Sequence, residues 1–144
     1  MQKDIVTVSP AASLAEAQER MRKHNIRQIP VTSEDGKLVG ILSDRDVRGA
    51  VLPAGLVPGF SAEEATKFLK TTPVEKVMTR KVVTATLTDT LEDAIVLLHD
   101  FNVNALPVVD AEGKVVGIIS RTNVLEAFID VLGVGEVSSR LEVV

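Results

Sequence analysis

Apolar positions along the chain fall into short blocks whose period alternates between that of a strand and that of a helix, and the alternation runs through the same order twice. In the first half, Ile5 to Val8 is an apolar strand closed by Ser9-Pro10. Leu14, Ala17 and Met21 then recur at helical spacing behind Ser13-Leu14-Ala15-Glu16, which has the form of a capping box and predicts a helix to about His24. Gln28 to Thr32 and Leu38 to Leu42 read as strands, and the acidic residues followed by Gly in Ser33-Glu34-Asp35-Gly36-Lys37 mark the hairpin turn between them. The second half repeats this: a strand at Val82, a helix opened by Thr90-Leu91-Glu92-Asp93, strands from Ala105 to Val109 and Val115 to Ile119, and a final helix. Leu91, Ala94, Ile95, Leu97 and Leu98 form the inward face expected of the second repeat's first helix.

Sliding the sequence along itself so that Thr7 falls on Thr84 aligns both halves without a gap. Leu14 meets Leu91, Asn25 meets Asn102, Pro30-Val31 meets Pro107-Val108, and Gly40-Ile41 meets Gly117-Ile118. Roughly a third of the positions from Met1 to Val47 are identical in this register, and most others exchange one aliphatic for another. Three short strands cannot bury both faces alone, so the repeats are expected to pack sheet to sheet. Between them, Pro53 to Gly59 is rich in breakers, Ser61-Ala62-Glu63-Glu64 opens a short helix through about Leu69, and Thr72-Pro73-Val74-Glu75 reads as a further helix start with Pro at its first position.

One stretch bears on chemistry. Gly40-Ile41-Leu42-Ser43-Asp44-Arg45-Asp46-Val47 returns as Gly117-Ile118-Ile119-Ser120-Arg121-Thr122-Asn123-Val124. Each copy is a strand emptying onto a helix start, where free backbone N–H groups and the helix dipole favour an anion such as phosphate. The same spacing of Ser43 with Asp46, and of Ser120 with Asn123, also suits a plain helix cap. The residues alone leave both readings open.

Composition narrows the options. Hydrophobic residues make up 45% of the 144, but aromatics only 3%, so Val, Ile, Leu and Ala must fill the core and base-stacking platforms are scarce. A net charge of -4 argues against a broad nucleic-acid footprint, although Arg20, Arg22, Lys23, His24 and Arg27 gather at one helix end. Without cysteine there is no disulfide, thiol nucleophile or thiolate metal site, and His24 and His99 lie too far apart in sequence to suggest zinc. No apolar run reaches transmembrane length and no signal peptide precedes the first strand, so no membrane is expected and the cytoplasm is the expected compartment.

The doubled unit resembles a tandem pair of cystathionine beta-synthase (CBS) domains, the Bateman module. The resemblance rests on the initial V-T, the central P-V, the D/E-G-K turn and the final G-x-x-S-x-x-D/N of each copy, and spans nearly the whole chain. The insert from Ser61 to Leu69 and the tail from Gly133 to Val144 are also similar to acetoin-utilisation B-type proteins, whose CBS pair is followed by an ACT domain. The resemblance implies an α/β (α+β) fold of two strand-helix-strand-strand-helix repeats packed with pseudo-two-fold symmetry. It divides the chain into repeat 1 (1–52), a linker with a short helix (53–72), repeat 2 (73–132) and a tail (133–144) that opens a further domain. Because Met78 falls on Met1, the natural chain is expected to continue upstream as well.

The same resemblance implies two clefts between the repeats for AMP, ADP, ATP or S-adenosylmethionine. It matches Asp46 to an acid gripping the ribose hydroxyls, Ser43 to a hydroxyl near the phosphate or ribose, Thr7 and Ala12 to a loop after the first strand, and Ile26 with Arg27 to a pair whose backbone reads the adenine edge. The second repeat offers Thr84, Asp89, Val103, Asn104, Ser120 and Asn123 at the same places. Arg45 and Arg121 sit at helix starts with room for a phosphate between them. Asn123 replaces an acid and Asn104 a cation, and Asp89 would repel phosphate, so one occupied site and one weak or empty one are expected.

The function expected is a regulatory ligand sensor with no catalysis of its own, no required cofactor and no metal site, any Mg ion arriving with a polyphosphate. The competing reading is a homodimerisation module whose Ser-Asp pairs serve only as caps. Both expect a flat homodimer burying Val47, Val51, Leu52, Val124, Leu125, Phe128, Ile129 and Leu132 in part.

Overall fold

The structure is a computed structural model that describes residues 5–55 and 58–133. Repeat 1 contains α1 (Leu14–Lys23), β1 (Gln28–Thr32), β2 (Leu38–Ser43) and α2 (Asp44–Gly55); α3 (Ala62–Thr71) and a 3-10 turn (Val74–Lys76) follow. Repeat 2 contains β3 (Ala85–Thr86), α4 (Leu91–Asp100), β4 (Ala105–Val109), β5 (Val115–Ser120) and α5 (Arg121–Leu132). Antiparallel hairpins β1-β2 and β4-β5 carry the same register, Pro30 opposite Ile41 and Pro107 opposite Ile118, with an irregularity at the same place in each.

The first strand of each repeat is shorter than its apolar pattern predicts. Val8 makes a single parallel bridge to Val31, and β3 pairs only Ala85 and Thr86 with Val108 and Val109. Ser9-Pro10 and the Thr86 turn end the pairing, since Pro10 has no N–H to extend a ladder. Helices α1 and α4 both stop at an asparagine in the left-handed region, Asn25 (φ 52) and Asn102 (φ 50), which a short polar side chain tolerates. That constraint accounts for the Asn25 and Asn102 match.

Two further boundaries move, and the core divides. Helix α2 runs through the first breaker to Gly55 with Pro53 inside it; the missing N–H removes one hydrogen bond and the helix ends two residues on. Pro73 is the extended cap of a single 3-10 turn, not the first residue of an α-helix. The expected sheet-to-sheet core is instead two clusters. One gathers Val8, Leu14, Ala17, Met21, Ile29, Val31, Leu42 and Val47 with Val74 and Met78. The other gathers Ala85, Ala94, Leu98, Leu106 and Val108. Burial of one such aliphatic stabilises the fold by about 1.5–3 kcal/mol.

The segment leading into repeat 2 is stitched onto repeat 1. Leu14 N–H donates to Thr72 O (3.0 Å), Val74 N–H to Ala12 O (2.8 Å), and Thr79 exchanges two 2.9 Å bonds with Ile41 on the open edge of β2. Gly40 makes this approach possible, because a Cβ there would lie 2.5 Å from Met78 Sδ and 3.0 Å from Thr79 O. The hairpin tips of the repeats also meet: Leu38 N–H donates to Gly113 O (3.0 Å) and Val115 N–H to Gly36 O (3.1 Å). The Met1 counterpart of Met78 and the tail from residue 134 lie outside the described residues.

Candidate functional site

Each repeat's hairpin empties directly onto a helix, β2 onto α2 and β5 onto α5. At the first junction Ser43 N–H donates to Asp46 Oδ2 (2.9 Å) and Asp46 N–H to Ser43 Oγ (3.0 Å). At the second, Ser120 N–H donates to Asn123 Oδ1 and Asn123 N–H to Ser120 Oγ, both at 3.1 Å. Both pairs are therefore capping boxes. Capping uses only one oxygen of Asp46: among the described residues Oδ1 has no hydrogen-bond partner and remains an acceptor. At Asn123 the cap takes the single side-chain carbonyl, and the other head of the amide can only donate.

A cleft of about 210 Å3 opens beside the first junction and is built from both repeats. Repeat 1 contributes Gln28, Ile41, Ser43 and Asp46; repeat 2 contributes Thr79, Lys81, Val82, Val83 and the run Asn102 to Ala105. Ile41, Val82, Val83 and Val103 give it an apolar slot, Asp46 an acceptor and Lys81 a cation. An adjoining cavity of about 370 Å3 shares Gln28, Ser43 and Asn104 with this cleft and adds Arg27, Asp44, Arg45 and Arg48. Apolar walls with a few convergent polar groups are the usual make-up of a small-molecule site.

The structure thus regroups the residues expected from the sequence. Ser43 and Asp46 face Val103 and Asn104 of the other repeat, while Ile26 lines a groove of about 500 Å3 beside α1, and Arg27 borders both that groove and the cavity that Ser43 shares. Arg45 and Arg121 do not flank a common space. Arg121 donates from Nε to Val103 O (3.0 Å) and from Nη2 to Asn102 Oδ1 (3.2 Å), and lines a separate groove of about 250 Å3 between α4 and α5. The Asp89 carboxylate accepts from Thr86 N–H (2.8 Å), which commits it to its own turn. Thr7 O accepts from the Arg20 guanidinium and Ala12 O from Val74 N–H. Thr7, Ala12, Thr84, Asp89, Ser120 and Asn123 line none of these cavities.

The backbone expected to read a base is also partly engaged, since Val103 N–H donates to Leu98 O (3.2 Å) and Asn104 O accepts from Arg121 N–H (3.0 Å). Lys81, Gln28 and Arg48 are lining residues that the sequence reading did not single out. A signal existed, because in the repeat register Lys81 stands opposite Asp4 and Arg48 opposite Leu125. Among the described residues no group of three or more His, Asp or Glu could hold a metal ion, and no helix is long and apolar enough to cross a membrane.

Comparison with known proteins places this geometry. The CBS domain family model matches residues 1–53 and again 74–130. The chain is similar to the uncharacterized protein MJ1426 of Methanocaldococcus jannaschii, at 37% identity over 128 residues, covering 75% of this chain and 76% of that one. It is also similar to part of the inosine-5'-monophosphate dehydrogenase of the same organism, at 35% identity over 86% of this chain but only 22% of the enzyme. Among solved structures, CBSX2 of Arabidopsis thaliana in complex with AMP superimposes with a TM-score of 0.73 at 30% identity, covering 90% of each chain. The CBS domain pair of protein MJ0100, in complex with 5'-methylthioadenosine and S-adenosyl-L-methionine, gives 0.73 at 28% identity over 88% of this chain and 93% of that one.

Proposed function

The chain belongs to the CBS domain family, and from that premise we propose that it is a regulatory module that binds an adenosine ligand in the cleft between its repeats. One observation carries this reading: the cleft pairs the free Asp46 oxygen of repeat 1 with an apolar slot and Lys81 of repeat 2. A carboxylate oxygen accepts strongly from ribose hydroxyls, the slot suits a flat base, and Lys81 suits a phosphate. A ligand seated there touches both repeats and stabilises one relative arrangement of them, which biases whatever is attached. The AMP of CBSX2 and the adenosine compounds of MJ0100 support the ligand class. We assign no catalysis and no required cofactor to the chain, place it in the cytoplasm without membrane or nucleic-acid partners, and expect Mg only as a companion of a polyphosphate. The acetoin-utilisation kinship and an ACT-like neighbour belong to the same proposal, resting on the helical insert now seen as α3.

Titration calorimetry of the whole chain with AMP, ADP, ATP and S-adenosylmethionine tests the proposal. Saturable binding of at least one, weakened roughly tenfold or more in Asp46→Ala, is the expected result. Failure of all four to bind sinks it.

A second reading, homodimerisation, is favoured by the apolar surface of α5, where Leu125, Phe128, Ile129 and Leu132 are exposed, with Ile95 of α4 beside the groove. Val47, expected in the same surface, is instead fully buried in the core. Sedimentation of the calorimetry sample should show two copies associated at micromolar concentration, and a strict monomer there would exclude this assembly.

A further inference from the structure

Resting on the cleft reading above, we propose that the adjoining cavity is a polyphosphate subsite, so that the ligand class of this chain is a nucleoside di- or triphosphate and not a monophosphate or a sulfonium nucleoside. The two cavities differ sharply in character. In the nucleoside cleft the charged residues are Asp46 and Lys81, which cancel. In the adjoining cavity they are Arg27, Arg45 and Arg48 against Asp44, an excess of two positive charges in a chain whose net charge is -4.

Those cations are also uncommitted. Among the described residues the Arg27 and Arg45 guanidinium groups have no ion-pair or hydrogen-bond partner, and Arg48 has only Asp44 at 3.4 Å, an exposed contact worth little. Planar guanidinium groups match phosphate oxygens with two parallel bonds, which makes arginine the residue suited to a phosphate chain.

The shared rim fixes the direction of the ligand. Gln28, Ser43 and Asn104 border both cavities, so a ribose held at Asp46 places its first phosphate at the Ser43 rim and each further phosphate among the arginines. A monophosphate stops at the rim. S-adenosylmethionine carries a sulfonium and an ammonium against a single carboxylate, so it brings a net positive charge to a basic wall. The second junction offers no such wall, because the counterparts of Arg27, Arg45 and Arg48 in the repeat register are Asn104, Thr122 and Leu125.

The test is calorimetry of the whole chain in EDTA with adenosine, AMP, ADP, ATP and S-adenosylmethionine. Affinity should rise from AMP to ADP to ATP by about tenfold per phosphate, and most steeply at low salt. Arg48→Gln should weaken ATP by about tenfold, and Arg45→Gln added to it by about as much again, while adenosine binds Arg48→Gln as it binds the parent. Equal affinity for AMP and ATP, tighter binding of S-adenosylmethionine, or an ATP preference that survives both substitutions overturns the proposal. If AMP binds and Asp46→Ala abolishes it but ATP gains nothing, only the subsite fails. If neither adenosine nor any of the others binds, the cleft reading fails and the subsite with it.

Discussion

Leu14 and Leu91 occupy the same position of the same unit, yet Leu14 is fully buried and Leu91 is 41% exposed. The difference comes from α3 and the turn after it. Phe68 and Leu69 pack against the repeat 1 core, Thr72 and Val74 are bonded to its backbone, and among the described residues nothing equivalent lies over α4. Asp46 and Asn123 differ in the same way: their caps are alike, but among the described residues only Asp46 keeps a second acceptor oxygen outside its cap. A repeated sequence reproduces backbone geometry, whereas burial and chemistry depend on what each copy meets.

The largest test of that contrast is a pair of truncations. Leu14→Ala should cost about 2–5 kcal/mol in urea unfolding, and Leu91→Ala no more than roughly 1 kcal/mol. Equal costs would mean that another surface covers α4. Next in size is Asn123→Asp, which supplies the second junction with the acceptor it lacks. Where an acceptor is all that the second junction lacks, calorimetry should show a second, weaker equivalent of nucleotide appear. No change would show that the second junction is closed for reasons other than its acceptor.

The smallest effect concerns acid. The Thr90 backbone N–H, and then its hydroxyl, hold the Asp93 carboxyl below its ordinary range in a full capping box. In α1 the Ser13 hydroxyl still caps Glu16 N–H, but the Glu16 carboxylate turns to Arg20 at 3.1 Å. Since folding depresses the Asp93 pKa, its contribution is present above the unfolded carboxylate value near about 4 and is lost as pH falls through the folded one. Thermal melts at falling pH should show Asp93→Asn lacking a small acid-sensitive part of the parent's stability. Identical acid profiles would mean that the box adds nothing to α4.

Much of this was legible in the chain. The Thr7 to Thr84 register, both hairpins, both Ser caps and the inward faces of α1 followed from period and capping chemistry, which are local. The crossed cleft did not. A register says which residues correspond but not which face one another, and the bond pairs between Ile41 and Thr79 and between the hairpin tips join residues far apart in sequence. Arg121 stands at a helix start as Arg45 does, yet the nearby Val103 and Asn102 oxygens hold its guanidinium, which its place in the sequence does not reveal. The exposure of Leu91 depends on α3, a neighbour that belongs to neither repeat's pattern.

The contact between the hairpin tips has an evolutionary reading. Leu38 N–H to Gly113 O and Val115 N–H to Gly36 O are one bond made twice with the partners exchanged, as two identical chains make it about a two-fold axis. A single ancestral repeat, pairing with its own copy, would satisfy the same contact and enclose two identical half-and-half clefts. Such an ancestor could not improve one cleft without altering the other. One chain that carries both repeats is free of that constraint, and this one holds Asp46 at one junction and Asn123 at the other.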